Sequence, residues 1–307
     1  MKTMNLKQLM TTAIIIVLLP LHGCVNKKPA VDDSSFSFVY MTDIHLSPEN
    51  NAVRGFTQAL DSINKLNPDF IITGGDLIMD ALGQRYSRAD SLYNLYSEVS
   101  SAIMIPIYNS MGNHEIYGIY ESSGADLLHP EFGEKMFEKR IDKLFYCFDY
   151  KGWKFMILNS VEATPGEGYI GLIDSTQVEW IKEELEKTDP ATPIVISTHI
   201  PFITAFTQMY YGSTQANSNS LVVVNSKEVL DLFRGHNLKL VLQGHLHTVE
   251  DIFIDGIHFI TGGAVSGAWW KGPNQGHEEG FLKIDVKGDN FIWEYVDYGW
   301  KPALEGK

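Results

Sequence analysis

Residues 36–45 read FSFVYMTDIH: an apolar-rich run from Phe36 to Met41, a threonine, then Asp43-Ile44-His45. Phe, Val, Tyr and Met in close succession suit a short strand covered on both faces, since a strand with one wet face would alternate with polar residues. The polar triplet just past its end is where the chain leaves the sheet. The same unit recurs down the sequence. Asp69–Thr73 runs into Gly74-Gly75-Asp76, and Ala102–Tyr108 into Gly112-Asn113-His114-Glu115. Pro193–Ser197 runs into Thr198-His199-Ile200-Pro201, and Leu238–Leu242 into Gly244-His245-Leu246-His247. The five polar segments hold five of the ten histidines, two aspartates and an asparagine.

Helical spacing fills the gaps between these strands. Val53, Phe56, Leu60, Ile63 and Leu66 predict a helix over Ala52–Leu66 that Asn67-Pro68 ends. Further helices are predicted over Ser87–Ser101, Asp174–Lys187 (capped by Asp174 or Ser175) and Asn225–Phe233. Hairpins are predicted at Phe145–Tyr150 with Trp153–Asn159, at Val249–Ile254 with Ile257–Thr261, and at Gly280–Val286 with Asn290–Val296. The alternation implies an α/β domain with two sheets facing each other. Loops 118–134 and 202–220 are long and follow strand ends, where open α/β sheets place substrate sites.

The 307 residues are 44% hydrophobic and 20% charged, enough for one well-filled catalytic domain. The net charge of −14 disfavours a protein that grips nucleic acid, because its surface repels phosphate backbones. Lys2 and Lys7 precede an apolar stretch centred on Ala13–Leu19, too short for a comfortable membrane span and suited to a signal peptide. It ends in Leu21-His22-Gly23-Cys24, which resembles the cleavage and acylation signal of bacterial lipoproteins, with His22 in place of a small or aliphatic residue. The expected organisation is a leader over residues 1–23, a polar tether over 24–35 beginning at a lipid-bearing Cys24, and a catalytic domain over 36–302. The expected address is the bacterial envelope, outside the cytoplasm, with the membrane as a partner through that lipid. Cys147 then has no partner for a disulfide, and reads as a buried strand residue.

Oxygen and nitrogen ligands on five loops, with no thiolate among them, are the ingredients of a two-ion hydrolase centre. Hydrolysis of a phosphate ester suffers from repulsion between the anion and its attacking nucleophile, and a pair of cations relieves it. The donor set points to manganese, iron or zinc and away from a cysteine-type structural zinc.

The ordered set Asp-x-His, Gly-Asp, Gly-Asn-His-Glu, His and Gly-His-x-His resembles the calcineurin-like metallophosphoesterase superfamily over roughly residues 36–263. The resemblance implies a four-layer α/β/β/α sandwich. It implies that Asp43, His45, Asp76 and His247 hold one metal, and that Asp76, Asn113, His199 and His245 hold the second. It gives His114 a catalytic role beside the phosphate, and implies in-line attack by a metal-bound hydroxide on small phosphate mono- or diesters. Met79 stands where purple acid phosphatases carry a tyrosine, and Asp80 matches the spacing of cyclic nucleotide phosphodiesterase relatives. Trp269 and Trp270 are candidate substrate-binding residues; as neighbours in a strand they face opposite ways, and core packing is the first expectation for the pair. Glu115 is expected to be structural. His129, His236, His258 and His277 lie outside the motifs and read as ordinary. The rival readings are an exported nuclease of the same superfamily and a non-catalytic surface lipoprotein that binds a ligand.

Overall fold

In the computed structural model, which describes residues 34–302 except 165 and 167, β1 (Phe36–Met41) lies in the middle of a five-stranded sheet. Across that sheet run β13 (Asn290–Asp297), β12 (Gly280–Lys287), β1, β2 (Phe70–Thr73) and β3 (Ile107–Tyr108). A second sheet of six runs β10 (Val249–Ile254), β11 (Ile257–Gly262), β9 (Asn237–Gln243), β8 (Pro193–Ser197), β5 (Trp153–Ile157) and β4 (Tyr146–Tyr150). The strands β1, β2 and β3 are parallel, as are β5, β8, β9 and β11, while the hairpin partners at the edges are antiparallel. Parallel neighbours need crossovers, and helices supply them. They are α1 (Ala52–Leu66), α2 (Tyr86–Ser100), α4 (Ser175–Glu186) and α6 (Ser226–Leu232).

The period-2 geometry of β1 explains the layering. Phe36, Phe38 and Tyr40 enter the space between the sheets with Phe70 and Ile72. There they meet Trp153, Phe155, Val195, Leu240 and Leu242 of the second sheet. Phe38 and Phe70 stack with centroids 5.1 Å apart, and Phe155 approaches both edge-on at 5.4 and 5.2 Å. The alternate residues Val39, Met41 and Ile71 join the core of Phe56, Leu60 and Ile63 on α1 and Leu92 on α2. In the second sheet Met156, Ile194, Ile196 and Val241 likewise join Val178, Ile181 and Leu185 of α4 and Val229 of α6. The result is the expected four-layer α/β/β/α sandwich, with strands buried on both faces.

Most predicted elements stand within two residues of their predicted ends. The predicted hairpin at Lys151-Gly152 turns through two left-handed residues, φ 44° and 86°, as a tight two-residue hairpin does. Asp174 caps α4, its side chain accepting from the Gln177 N–H at 2.8 Å. The strand expected over Ala102–Tyr108 is a correction: only Ile107–Tyr108 pairs. The Ala102 and Ile103 amides still bond the last turn of α2, Met104 is 92% exposed, and Pro106 has no N–H to offer. Two strands and two α-helices were not foreseen: β6 (Val161–Thr164) and β7 (Gly168–Gly171), which form a hairpin, α3 (Lys135–Arg140), and α5 (Phe206–Tyr211) inside the second long loop. Cys147 is half-buried on β4. Cys24, the leader and most of the tether lie outside the described residues. Among the described residues, no helix is long and apolar enough to cross a membrane.

One ion-pair network fastens the first long loop to α2. Arg140 donates to Asp90 at 2.6 Å and to Glu131 at 2.7 Å, and Lys139 also reaches Glu131. Glu131 is 2% exposed. Burial pushes its carboxyl up, but Lys139, Arg140 and Tyr86 together hold it down to about 2. Arg140→Met is therefore expected to lower stability by about 2–4 kcal/mol near neutral pH, since it leaves a buried carboxylate short of one of its two cationic partners. The depressed carboxyl contributes above its unfolded pKa of about 4.3 and loses its effect as pH falls toward 2. Urea melts should show the gap between the two proteins narrowing over that window.

Candidate metal centre

Every ligand-type residue predicted from the sequence lies just past the C-terminal end of a parallel strand, and both sheets present those ends at the same edge. The loops bend sharply there. Asp43, His45, Asp76, His245 and His247 all have φ between 46° and 72°, a left-handed region that Asp, Asn and His tolerate better than most residues. Close backbone approach explains two of the motif glycines. A Cβ on Gly112 would stand 2.2 Å from Asp76 Oδ1, and one on Gly244 would stand 2.2 Å from Thr42 Oγ1. Glycine thus lets loops pack this closely, within the first sheet at Gly112 and between the two sheets at Gly244.

The side-chain atoms that meet are ring nitrogens and carboxylate oxygens. His45 Nε2 lies 3.0 Å from His247 Nε2, 3.9 Å from Asp43 Oδ1 and 3.6 Å from Asp76 Oδ2. His247 Nε2 is 3.2 Å from Asp43 Oδ1. On the other side of Asp76, His199 Nε2 lies 3.2 Å from Asp76 Oδ2, 3.1 Å from Asn113 Oδ1 and 3.2 Å from His245 Nδ1. Two ligands about 2.1 Å from one ion, at angles of 90–109°, stand about 3.0–3.4 Å apart. The observed spacings cluster near that range. They form the groups Asp43–His45–His247 and Asp76–His199–His245, with His45, Asp76 and His114 as a third.

The second ring nitrogens of His199 and His247 are fixed by backbone. His199 Nδ1 faces Gly74 O at 2.8 Å, and His247 Nδ1 faces Gly267 O. Such contacts set the tautomer and aim Nε2 at the centre. The Asp43 carboxylate accepts from the His245 N–H at 3.0 Å and from Thr42 Oγ1 at 2.7 Å. Burial and the neighbouring charges pull these groups in opposite directions. Burial raises the Asp76 carboxyl, but His199 and His114 hold it well below the usual range. Burial lowers the His199 imidazole, but Asp76 pulls it up to about 9. His245, pressed by burial and by His199, falls to about 4. A buried, oxygen- and nitrogen-lined cluster with paired carboxylates fits divalent ions.

His114 differs from the other rings. It is 23% exposed, while His45 and His199 are fully buried. Its Nδ1 packs against Met79 O, its Nε2 stands 3.8 Å from Asp76 Oδ2, and its backbone N–H donates to Asp76 Oδ1 at 3.0 Å. It therefore sits at the mouth of the cluster with one nitrogen tied back. Asp80 accepts from Leu82 N and Gln84 Nε2, which makes it a turn carboxylate, 3.8 Å from the His114 ring. Glu115 is fully buried, and its carboxylate accepts four backbone N–H groups: Asp76, Leu77, Ile78 and Gly112, at 2.7–3.1 Å. Burial and Asp76 push its pKa up to about 8, but four donors with no acceptor favour the ionised form. Glu115 ties the Asp76 loop to the Asn113 loop.

Several contributors carried no signal in the sequence. Ser160 Oγ accepts the His199 and Ile200 amides at 3.1 and 2.8 Å. Ser266 Oγ donates to Asp43 O at 2.7 Å. Neither serine belongs to a motif, and only the fold brings them near. The tryptophan pair is not in a strand: both residues lie in the loop after β11, with φ of 52° and 67°. Trp270 is core, and Trp269 is 39% exposed beside the His247 ring. His129, His258 and His277 have local structural partners in Glu131, Asp251 and Val249.

The calcineurin-like phosphoesterase family model matches residues 36–249. A probable cyclic nucleotide phosphodiesterase of Rhodococcus erythropolis is 24% identical over 217 residues, 68% of this chain and 64% of that protein. A zebrafish (Danio rerio) transmembrane protein with a metallophosphoesterase domain is 26% identical over 139 residues, 41% of this chain and 30% of that protein. The chain thus spans somewhat under two thirds of the first relative and less than a third of the second. Among solved structures, a dimetal phosphatase from Danio rerio superposes with a TM-score of 0.62 at 15% identity, covering 86% of this chain and 96% of that one. The inner-membrane-complex anchor GAP50 of Plasmodium gives 0.56 at 14% identity, covering 86% and 85%. With the family model spanning the strands and loops that build the cluster, the chain belongs to the calcineurin-like phosphoesterase family.

Proposed function

We propose that the chain binds two metal ions and hydrolyses small phosphate mono- or diesters at the edge shared by the two sheets. The supporting observation is the position of Asp76 Oδ2, 3.6 Å from His45 Nε2 and 3.2 Å from His199 Nε2, where one carboxylate serves both groups of ligands. Asp43, His45, Asp76 and His247 hold one ion; Asp76, Asn113, His199 and His245 hold the other. Bound there, the ions neutralise phosphate oxygens and lower the pKa of water. The donor set suits manganese, iron or zinc. His114, with Nδ1 tied to Met79 O, presents Nε2 to the departing ester oxygen and holds a proton for it.

A small diester is the favoured substrate within this reading, in line with the name given to the Rhodococcus relative. The test is a panel of mono-, di- and cyclic phosphate esters offered to metal-reconstituted protein. Hydrolysis of diesters that stops on chelation is the expected result. Activity on long DNA in preference to small esters would replace this reading with the nuclease. We further propose that Cys24 carries a lipid that anchors the protein to the envelope. Labelled palmitate should enter the wild-type protein and not Cys24→Ala; incorporation into both overturns the anchor.

A further inference from the structure

Two adjacent tryptophans in left-handed backbone are costly, because bulky side chains disfavour φ above zero. The loop holds that conformation with four identifiable contacts. The Val265 and Ser266 amides donate to Thr42 O and Asp43 O at 2.9 and 3.2 Å. The Trp270 Nε1–H donates to His45 O at 3.1 Å, and its ring packs across Gly55 of α1. A Cβ at Gly55 would stand 2.2 Å from that ring, so the helix leaves a seat for it. The backbone that carries the preceding indole, Trp269, is therefore anchored through Trp270 to the His45 carbonyl. Its centroid lies 4.7 Å from the His247 ring and 5.9 Å from the His45 ring, and 39% of it remains exposed. The exposed part of such a ring offers an aromatic group stacked or edge-on contact beyond simple burial.

We propose that Trp269 is the specificity-determining residue of this site, a stacking platform for an aromatic or heteroaromatic group carried by the phosphate ester, with Trp270 and Gly55 as its positioning residues. The proposal rests on the phosphoesterase reading above for the place of the phosphate, and names the class of ester that the site prefers. Stacking energies of this kind correspond to about 5- to 50-fold in binding, carried by the aromatic group and absent for an alkyl group.

The experiment compares wild type, Trp269→Ala and Trp269→Phe, all metal-reconstituted and with metal content measured. Calorimetry reads the binding of phenylphosphonate and methylphosphonate, and kinetics reads kcat/KM for matched aryl and alkyl diesters. In wild type, phenylphosphonate is expected to bind tighter than methylphosphonate by about 5-fold or more. Trp269→Ala is expected to erase that preference and to lower kcat/KM for aryl diesters alone. Trp269→Phe should keep most of both, and neither variant should lose metal. Equal binding of the two phosphonates in wild type, or an equal loss for aryl and alkyl ligands in Trp269→Ala, overturns the platform. If no ester is turned over, the hydrolase reading fails, while the phosphonate preference still decides the role of Trp269.

Discussion

Asp76→Asn is expected to lower ester hydrolysis by about a thousandfold or more and to cut metal content below one ion per chain. Its carboxylate oxygen faces both ligand groups, at 3.6 Å from His45 Nε2 and 3.2 Å from His199 Nε2. An amide keeps the volume and can keep the bond from the His114 N–H to Oδ1. It loses the negative charge that two cations would share in the proposed centre, and several kcal/mol of electrostatic stabilisation would go with it, equivalent to three decades or more in rate. The loop itself should survive, because Glu115 holds the Asp76, Leu77 and Ile78 amides independently of the Asp76 side chain. Circular dichroism and a thermal melt of the metal-free variant should therefore resemble wild type. A variant that still binds two ions per chain would remove Asp76 from the bridging position.

His114→Ala is expected to keep both ions and to lower kcat by about 10²–10⁴-fold. The geometry makes this a sharp test, because His114 lies close enough to His45 and Asp76 to be a ligand itself. Its 23% exposure sets it apart from the buried His45, His199 and His247, while a ring nitrogen tied to a backbone carbonyl is a feature it shares with His199 and His247. A proton donor matters most when the departing oxygen is strongly basic. The loss should be large for alkyl esters and small for nitrophenyl esters, whose leaving group departs without help. Loss of an ion from His114→Ala would make it a ligand. An equal loss for both ester classes would remove its role as acid.

Much of the fold was legible because the chemistry is local. The run FSFVYM could bury both its faces, and the structure uses both: Phe36, Phe38 and Tyr40 between the sheets, Val39 and Met41 toward the helices. The ligand-type residues were legible because polar groups directly after apolar strands mark the sheet edge. Ala102–Tyr108 misled because apolar composition does not report pairing; Met104 stands in solvent and Pro106 cannot donate. The tryptophans misled differently. Alternation assumes a strand, and nothing in the local sequence says that this loop turns left-handed over α1. That information lies in Gly55, more than two hundred residues earlier, and in the His45 carbonyl. Ser160 and Ser266 were invisible for the same reason: each supports a ligand-type residue through a contact that only the tertiary fold creates.

The most direct test of the two-ion account is a titration of metal-free protein with manganese or zinc, with bound metal counted per chain while hydrolysis of a small diester is followed. The account predicts two ions per chain at saturation, full activity only when the second site fills, and loss of activity on chelation. Full hydrolysis with a single bound ion, or hydrolysis that persists in chelator, would contradict it.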